Sequence, residues 1–187
     1  MTERTPRVLV PIADGTEEME FTIVVDVLRR AGVEVVTAGL DGPDPVTCSR
    51  GVRIVPDEAL DEVEWPFDLV VLAGGAEGAR RFGASADLGG ALQGHAGEGG
   101  AIAAICAAPA ALLAHGIGVG RSMTAHPSVR EQVEARAKWS DEVVVEDGHL
   151  VTSQGPGTAF EFALTLVRRL RGEFVAEQVR GPMMFPA

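Results

Sequence analysis

The sequence predicts an α/β fold, a mostly parallel sheet covered by helices on both faces, and three observations carry that expectation. Apolar runs of strand length recur at residues 8–13, 33–38, 67–72 and 101–105. Segments of helical length stand between them, so strand and helix alternate along the chain. Glycines mark the junctions at Gly15, Gly32, Gly74-Gly75 and Gly99-Gly100.

Residues 8–13 read as a buried strand, with Pro11 a mild objection near its end. Asp14-Gly15-Thr16 forms a turn, and Thr16 is expected to cap a helix whose first turn holds Glu17, Glu18 and Glu20, acids where the helix dipole favours them. The helix runs to Arg30 and closes at Gly32. The strand at 33–38 follows, and a strand-helix-strand unit of this kind is parallel and right-handed. Residues 41–56 are rich in Gly and Pro, and the pieces around Val46 and 52–55 suggest an edge hairpin or an excursion.

The strand at 67–72 runs into Ala73-Gly74-Gly75, where backbone N–H groups exposed just past the strand suit a negatively charged ligand atom. A helix is expected over 88–96, then the strand 101–105, then a helix with Pro109 in its first turn. A short strand at 122–125 leads to His126-Pro127, and 128–138 looks helical. Asp147-Gly148 between 143–146 and 149–152 signals a hairpin. Thr158-Ala159-Phe160-Glu161 fits a capping box opening a helix over 159–170, closed by Arg168, Arg169, Arg171 and Gly172, with a short helix at 173–179.

At 187 residues, 46% hydrophobic and 23% charged, the chain is expected to form a single globular domain over 1–187. A formal charge of −11 with no run of Lys and Arg argues against nucleic acid and anionic membranes as partners. Two cysteines, Cys48 and Cys106, make no disulfide framework, which fits a reducing compartment. No segment reaches transmembrane length, and the first apolar run is interrupted by Pro11 and followed by Asp14, so a cytoplasmic protein is expected. No His or Cys pair has zinc-like spacing, and P-loop, GxGxxG and GxSxG patterns are absent.

Cys106 falls at a strand-to-helix junction, where free N–H groups and the positive end of a helix favour a thiolate nucleophile. Ligands of parallel sheets bind outside the carboxyl ends of the strands. That rim gathers the Glu17–Glu20 turn, Gly74-Gly75, Cys106 and His126. The N–H groups of Ala107 and Gly75 could receive the oxyanion formed when a thiol attacks a carbonyl. One of the three glutamates, facing the rim, would lose hydration and keep its proton; spacing leaves open which. His126 ends a strand on the same rim as this cysteine and is followed by a proline that fixes the turn, whereas His95, His115 and His149 read as surface residues.

Five motifs, Gly15-Thr16-Glu17-Glu18-Met19-Glu20, Val71-Leu72-Ala73-Gly74-Gly75, Ala103-Ala104-Ile105-Cys106-Ala107-Ala108-Pro109, Thr124-Ala125-His126-Pro127 and Thr152-Ser153-Gln154-Gly155-Pro156-Gly157-Thr158, resemble in order those of the PfpI superfamily. The chain is most similar to the branch of the Parkinsonism-associated deglycase, DJ-one, with Cys48-Ser49-Arg50 and residues 25–32 adding to the match.

The resemblance implies a flavodoxin-like three-layer α/β/α sandwich with an added β-hairpin, a homodimer and no cofactor. It implies Glu20 as the protonated acid touching the Cys106 thiolate, His126 as a nearby assistant, and Gly75 and Ala107, beside Gly74, as oxyanion donors. Arg30, Arg50 and Pro182 match positions lining the pocket near the dimer interface. The activity implied is glutathione-independent conversion of reactive dicarbonyls such as methylglyoxal to hydroxy acids, with deglycase action on glycated targets. Alternatives within the superfamily are a redox sensor or chaperone working through Cys106 sulfinate, and peptidase or isocyanide-hydratase chemistry. Ala76 stands where close relatives carry an amide side chain, and Val55 replaces a second cysteine at the expected dimer interface.

Overall fold

A computed structural model describes residues 4–185. In chain order it contains β1 (Arg7–Ile12), α1 (Glu18–Arg30), β2 (Glu34–Gly39), the short strands β3 (Val46–Thr47), β4 (Arg53–Ile54) and β5 (Glu58–Ala59), then β6 (Leu69–Leu72), α2 (Ala76–Ala84), α3 (Ala86–Gly97), β7 (Ala101–Ile105) and α4 (Ala108–Ala114). The second half contributes β8 (Ser122–Met123), α5 (Arg130–Glu134), β9 (Lys138–Trp139), β10 (Val144–Asp147), β11 (Leu150–Ser153), α6 (Ala159–Arg171) and α7 (Glu173–Arg180).

The central sheet runs β10-β11-β7-β6-β1-β2-β5. Every neighbouring pair is parallel except β10 with β11, the hairpin that Asp147-Gly148 announces. The expected edge excursion is a separate small ribbon, β3 antiparallel to β4.

Helices cover both faces, which explains why the central strands read as continuous apolar runs. Val8, Val10 and Ile12 of β1, Leu69 and Val71 of β6 and Ala103 and Ile105 of β7 face the layer of α1 and α6, packing with Phe21, Val24, Leu28, Phe162 and Leu166. Their neighbours Leu9, Val70, Leu72, Ile102 and Ala104 face the other layer, with Phe82, Leu88, Leu92 and Leu112. This is the predicted three-layer sandwich. Pro11 is tolerated because β6 registers with β1 only at Val8 and Leu9, so the proline breaks no ladder on that side. Phe162 is fully buried. Phe162→Ala should cost about 3–5 kcal/mol of unfolding free energy, read by urea titration.

Four local expectations are corrected. Glu17, not Thr16, caps α1: its carboxylate accepts from the Glu20 N–H at 2.8 Å. Thr16 is buried, and its hydroxyl accepts from the Ala13 N–H instead. Helix α2 was not anticipated, because three of its nine residues are Gly or lie beside Gly-Gly; burial of Ala79 and Phe82 and the ion pairs of Glu77 with Arg80 and Arg81 hold it. Residues 128–138 hold only the five-residue α5 after a 3₁₀ turn, Pro127–Val129, and Lys138 joins β9. The Thr158 capping box does not form at α6, since that hydroxyl meets Ser153 Oγ and the Gly155 backbone. Among the described residues no helix is long and apolar enough to cross a membrane.

Candidate active site

The carboxyl ends of β1, β6, β7 and β11 open onto one rim, at the point where helices leave the sheet on opposite sides. After β1 the chain turns to α1 on one face, and after β6 to α2 on the other. The crevice between such diverging connections is where α/β sheets bind ligands. Cys106 stands beside it, directly after β7.

Cys106 occupies a sharp turn. Its φ is 64°, in the left-handed region, which costs a non-glycine residue about 1–3 kcal/mol. The turn is held from two sides: the Cys106 N–H donates to the Ser153 carbonyl at 3.0 Å, and its own carbonyl accepts from the His126 N–H at 2.8 Å. The backbone N–H groups of Gly75 and Ala107 lie by the sulfur and favour its anion. Ala107 is the N-cap of α4, with Pro109 in the first turn as expected.

The three glutamates separate cleanly. Glu17 caps its own helix. Glu18 is buried and holds the following loop, accepting from the Ser49 hydroxyl and the Arg50 N–H, both at 2.8 Å. Burial raises its pKa, but these donors, its own N–H and that of Val52 outweigh burial and leave it lowered. Glu20 alone points into the rim: it is fully buried, and Oε2 accepts from the Gly74 N–H at 2.7 Å. Its Oε1 is buried without a hydrogen-bond partner among the described residues.

Burial pushes the Glu20 carboxyl up to about 7; the Gly74 N–H and Cys106 oppose that rise and the charge of Glu17 adds to it. Burial, followed by the charge of Glu20, pushes the Cys106 thiol up to about 12, against the Gly75 and Ala107 N–H groups. Burial and the Glu20 charge thus oppose the ionisation of Cys106 that these N–H groups favour. The two groups repel as anions and share a single charge. With the proton on Glu20, the carboxyl becomes a donor to sulfur, and the same N–H groups then favour thiolate.

Gly74 and Gly75 make this approach possible. A Cβ on Gly74 would lie 2.6 Å from the Cys106 Cβ and 2.7 Å from Glu20 Oε2. Gly75 has φ 88°, and a Cβ there would meet the Gly15 carbonyl at 2.2 Å. Gly74→Ala must therefore part Cys106 from Glu20. It should slow turnover at Cys106 by about 100-fold, because displacements near 1 Å cost on that order.

Of the other candidates, His126 is tied to Cys106 through its backbone, while its ring contacts Ser128 at 2.8 Å. Arg30 pairs with Asp26 at 2.6 Å, Arg50 Nη1 donates to the Ser49 carbonyl at 3.2 Å, and Pro182 lies in a terminal 3₁₀ turn. All three are exposed, and none bonds to Cys106, Glu20 or His126 within the chain. His149 is exposed as expected, but His95 is buried against the Ala101 carbonyl and half-buried His115 meets that of Phe82, so both serve the fold. Cys48 is buried, its thiol raised to about 11 by burial and by the charges of Glu18, Glu17 and Asp14. Sequence reasoning missed Ser153 and Ser128, whose contacts depend on strands and turns brought together by the fold. Among the described residues no cluster of His, Cys, Asp and Glu could hold a metal ion.

Comparison with known proteins gives the family. The DJ-1/PfpI family matches residues 6–169. The chain is 48% identical over 182 residues to a Parkinson disease protein 7 homolog of Danio rerio, covering 95% of this chain and 96% of the relative. It is 41% identical over 172 residues to the glutathione-independent glyoxalase DJR-1.2 of Caenorhabditis elegans, covering 91% of this chain and 90% of that protein. The crystal structure of Drosophila melanogaster DJ-1beta superposes with a TM-score of 0.96 at 45% identity, over 98% of this chain and all of that one.

Proposed function

This chain belongs to the DJ-1/PfpI family, and from that premise we propose that it is a cysteine-dependent, glutathione-independent glyoxalase acting on reactive dicarbonyls such as methylglyoxal. The observation that carries the reading is the fully buried Glu20 carboxyl, one oxygen unpartnered, beside an elbow cysteine whose sulfur meets two backbone N–H groups. A relative named a glutathione-independent glyoxalase supports it.

In this mechanism the thiol proton passes to Glu20, the Cys106 thiolate attacks the aldehyde carbon, forming a C–S bond as the C=O π bond breaks, and the former carbonyl oxygen takes the proton back from Glu20, which completes a hemithioacetal and leaves Glu20 a carboxylate. The Gly75 and Ala107 N–H groups stabilise that oxygen while it is charged. Glu20, as carboxylate, removes the hydrogen of the former aldehyde carbon as a proton, and the resulting enediol is reprotonated on the adjacent carbon. This leaves a thioester of lactate on Cys106. Water cleaves the C–S bond, releasing lactate and restoring the thiol, so the net reaction is methylglyoxal plus water to lactate. The same chemistry on a dicarbonyl adduct of a protein side chain would be a deglycase activity. No step calls for a cofactor.

The chain is read as a homodimer. Met19 on the first turn of α1 and Val52 and Val55 near the ribbon are exposed apolar side chains, and Glu18 ties that turn to the loop of Arg50. A partner there would bring Arg30, Arg50 and Pro182 toward the pocket mouth. The test of function is purified protein with methylglyoxal and no thiol added: lactate should appear as the dicarbonyl disappears, and a protein producing none overturns the proposal.

A second reading, oxidant sensing, draws on the same N–H groups, which suit the oxygens of a Cys106 sulfinate. Mild peroxide followed by mass spectrometry should then add two oxygens at Cys106 and leave buried Cys48 unmodified.

A further inference from the structure

His126 is the N-cap of the 3₁₀ turn Pro127–Val129, and the cap is made by its ring: Nδ1 accepts from the Ser128 N–H at 3.2 Å and lies 2.8 Å from the Ser128 hydroxyl. A backbone N–H can only donate. Nδ1 must therefore present its lone pair, the hydroxyl must be the second donor, and the single proton of the neutral ring must sit on Nε2. Turning the ring over would put a C–H where the Ser128 N–H points and leave that donor without its acceptor. The backbone N–H of the same residue donates to the Cys106 carbonyl at 2.8 Å, so the residue that carries the ring is tied to the turn of the nucleophile. Its Cδ2 edge, next to Nε2, lies against Gly155, where an added Cβ would be 3.7 Å away. Nε2 has no hydrogen-bond partner among the described residues, and His126 is exposed.

We propose that Ser128 is a positioning residue that holds His126 as its Nε2–H tautomer, so that His126 meets a bound dicarbonyl as a hydrogen-bond donor from Nε2 and not as a base. The inference rests on the glyoxalase reading and deepens it. Proton transfer between the carbons then belongs to Glu20 alone, and His126 polarises a carbonyl oxygen or steadies the enediolate. Nothing in the chain's sequence pattern shows this, because the Ser128 hydroxyl matters only once the turn brings it back onto the ring.

The test is ¹⁵N NMR of the histidine rings in the full chain, with His126→Gln used to assign the signal, alongside methylglyoxal turnover. In the wild type the neutral ring should show only the Nε2–H pattern. Ser128→Ala removes the hydroxyl donor and keeps the backbone one. Only the longer backbone donor, at 3.2 Å, then holds the ring, so the ring should leave the turn part of the time and an Nδ1–H fraction should appear, with kcat down by about fivefold to tenfold and KM and Cys106 alkylation by iodoacetamide little changed. Ser128→Thr, which keeps the hydroxyl, should restore both the tautomer and kcat. A wild-type ring carrying its proton on Nδ1, or a Ser128→Ala protein with unchanged tautomer and unchanged kcat, overturns the proposal. Turnover with an Nδ1–H ring removes the tautomer assignment and leaves the glyoxalase; a locked Nε2–H ring in a protein that makes no lactate removes the glyoxalase and with it the role of His126 as donor to a dicarbonyl.

Discussion

Cys106→Ser should fold as the wild type does and lose lactate production from methylglyoxal by at least about 1,000-fold, since a group that forms the covalent intermediate cannot be bypassed by the rest of the site. Serine keeps the elbow: its N–H still donates to Ser153, its carbonyl still accepts from His126, and the left-handed φ of 64° is unchanged. The alcohol, however, holds its proton far more tightly than a thiol, and Glu20 with a pKa near 7 cannot draw it off. Circular dichroism and thermal unfolding of the variant establish that the fold survives, and a lactate assay reads the loss. Activity retained within about tenfold would remove Cys106 as the nucleophile.

Glu20→Gln should separate stability from activity. The carboxyl rises from an ordinary 4.5 to about 7 in the folded chain, chiefly through burial. A folded-state pKa above the unfolded value means that folding favours the protonated acid. The stability it contributes is complete below about pH 4.5 and is lost progressively as pH climbs through 7. Glutamine keeps an acceptor for the Gly74 N–H and carries no charge to bury. At pH 8 the variant should therefore be more stable than the wild type by up to about 3 kcal/mol, with the difference vanishing near pH 4. Urea titrations at the two pH values read this directly. The same change removes the buried carboxyl that takes and returns a proton beside Cys106, and turnover should fall by about 100- to 10,000-fold. A variant no more stable at pH 8 than at pH 4, relative to wild type, would mean that Glu20 titrates as an ordinary carboxylate. Gain of stability with loss of function is the pattern expected where a site is held in an unfavourable charge state for chemistry.

Much of this protein was legible in its sequence for a definite physical reason. Strands buried on both faces must be apolar at every position, so 67–72 and 101–105 declare themselves without periodicity, and Gly15, Gly32 and Gly99 mark turns whose positive φ other residues avoid. Where local signals compete, the reading failed. Helix α2 carries two glycines and follows Gly74-Gly75, and it is held by Phe82 and by the pairs of Glu77, while Thr16 and Thr158 have capping chemistry that tertiary partners claim first. His95 and His115 look like surface residues on their helices, and only packing shows that Ala101 and Phe82 offer them carbonyls.

The sequence by itself determined the layered α/β architecture, the elbow position of Cys106 and the strand ends that meet at one rim, because these follow from apolar patterning and turn chemistry that act over a few residues. Which of Glu17, Glu18 and Glu20 faces the sulfur, a choice that the family resemblance named and local patterning left open, and which face of His126 is free, were decided by the tertiary structure. Three carboxylates within four positions share one local environment, and it takes the Gly74 turn, 54 residues away, to bury one of them against Cys106 while its neighbours cap a helix and hold a loop.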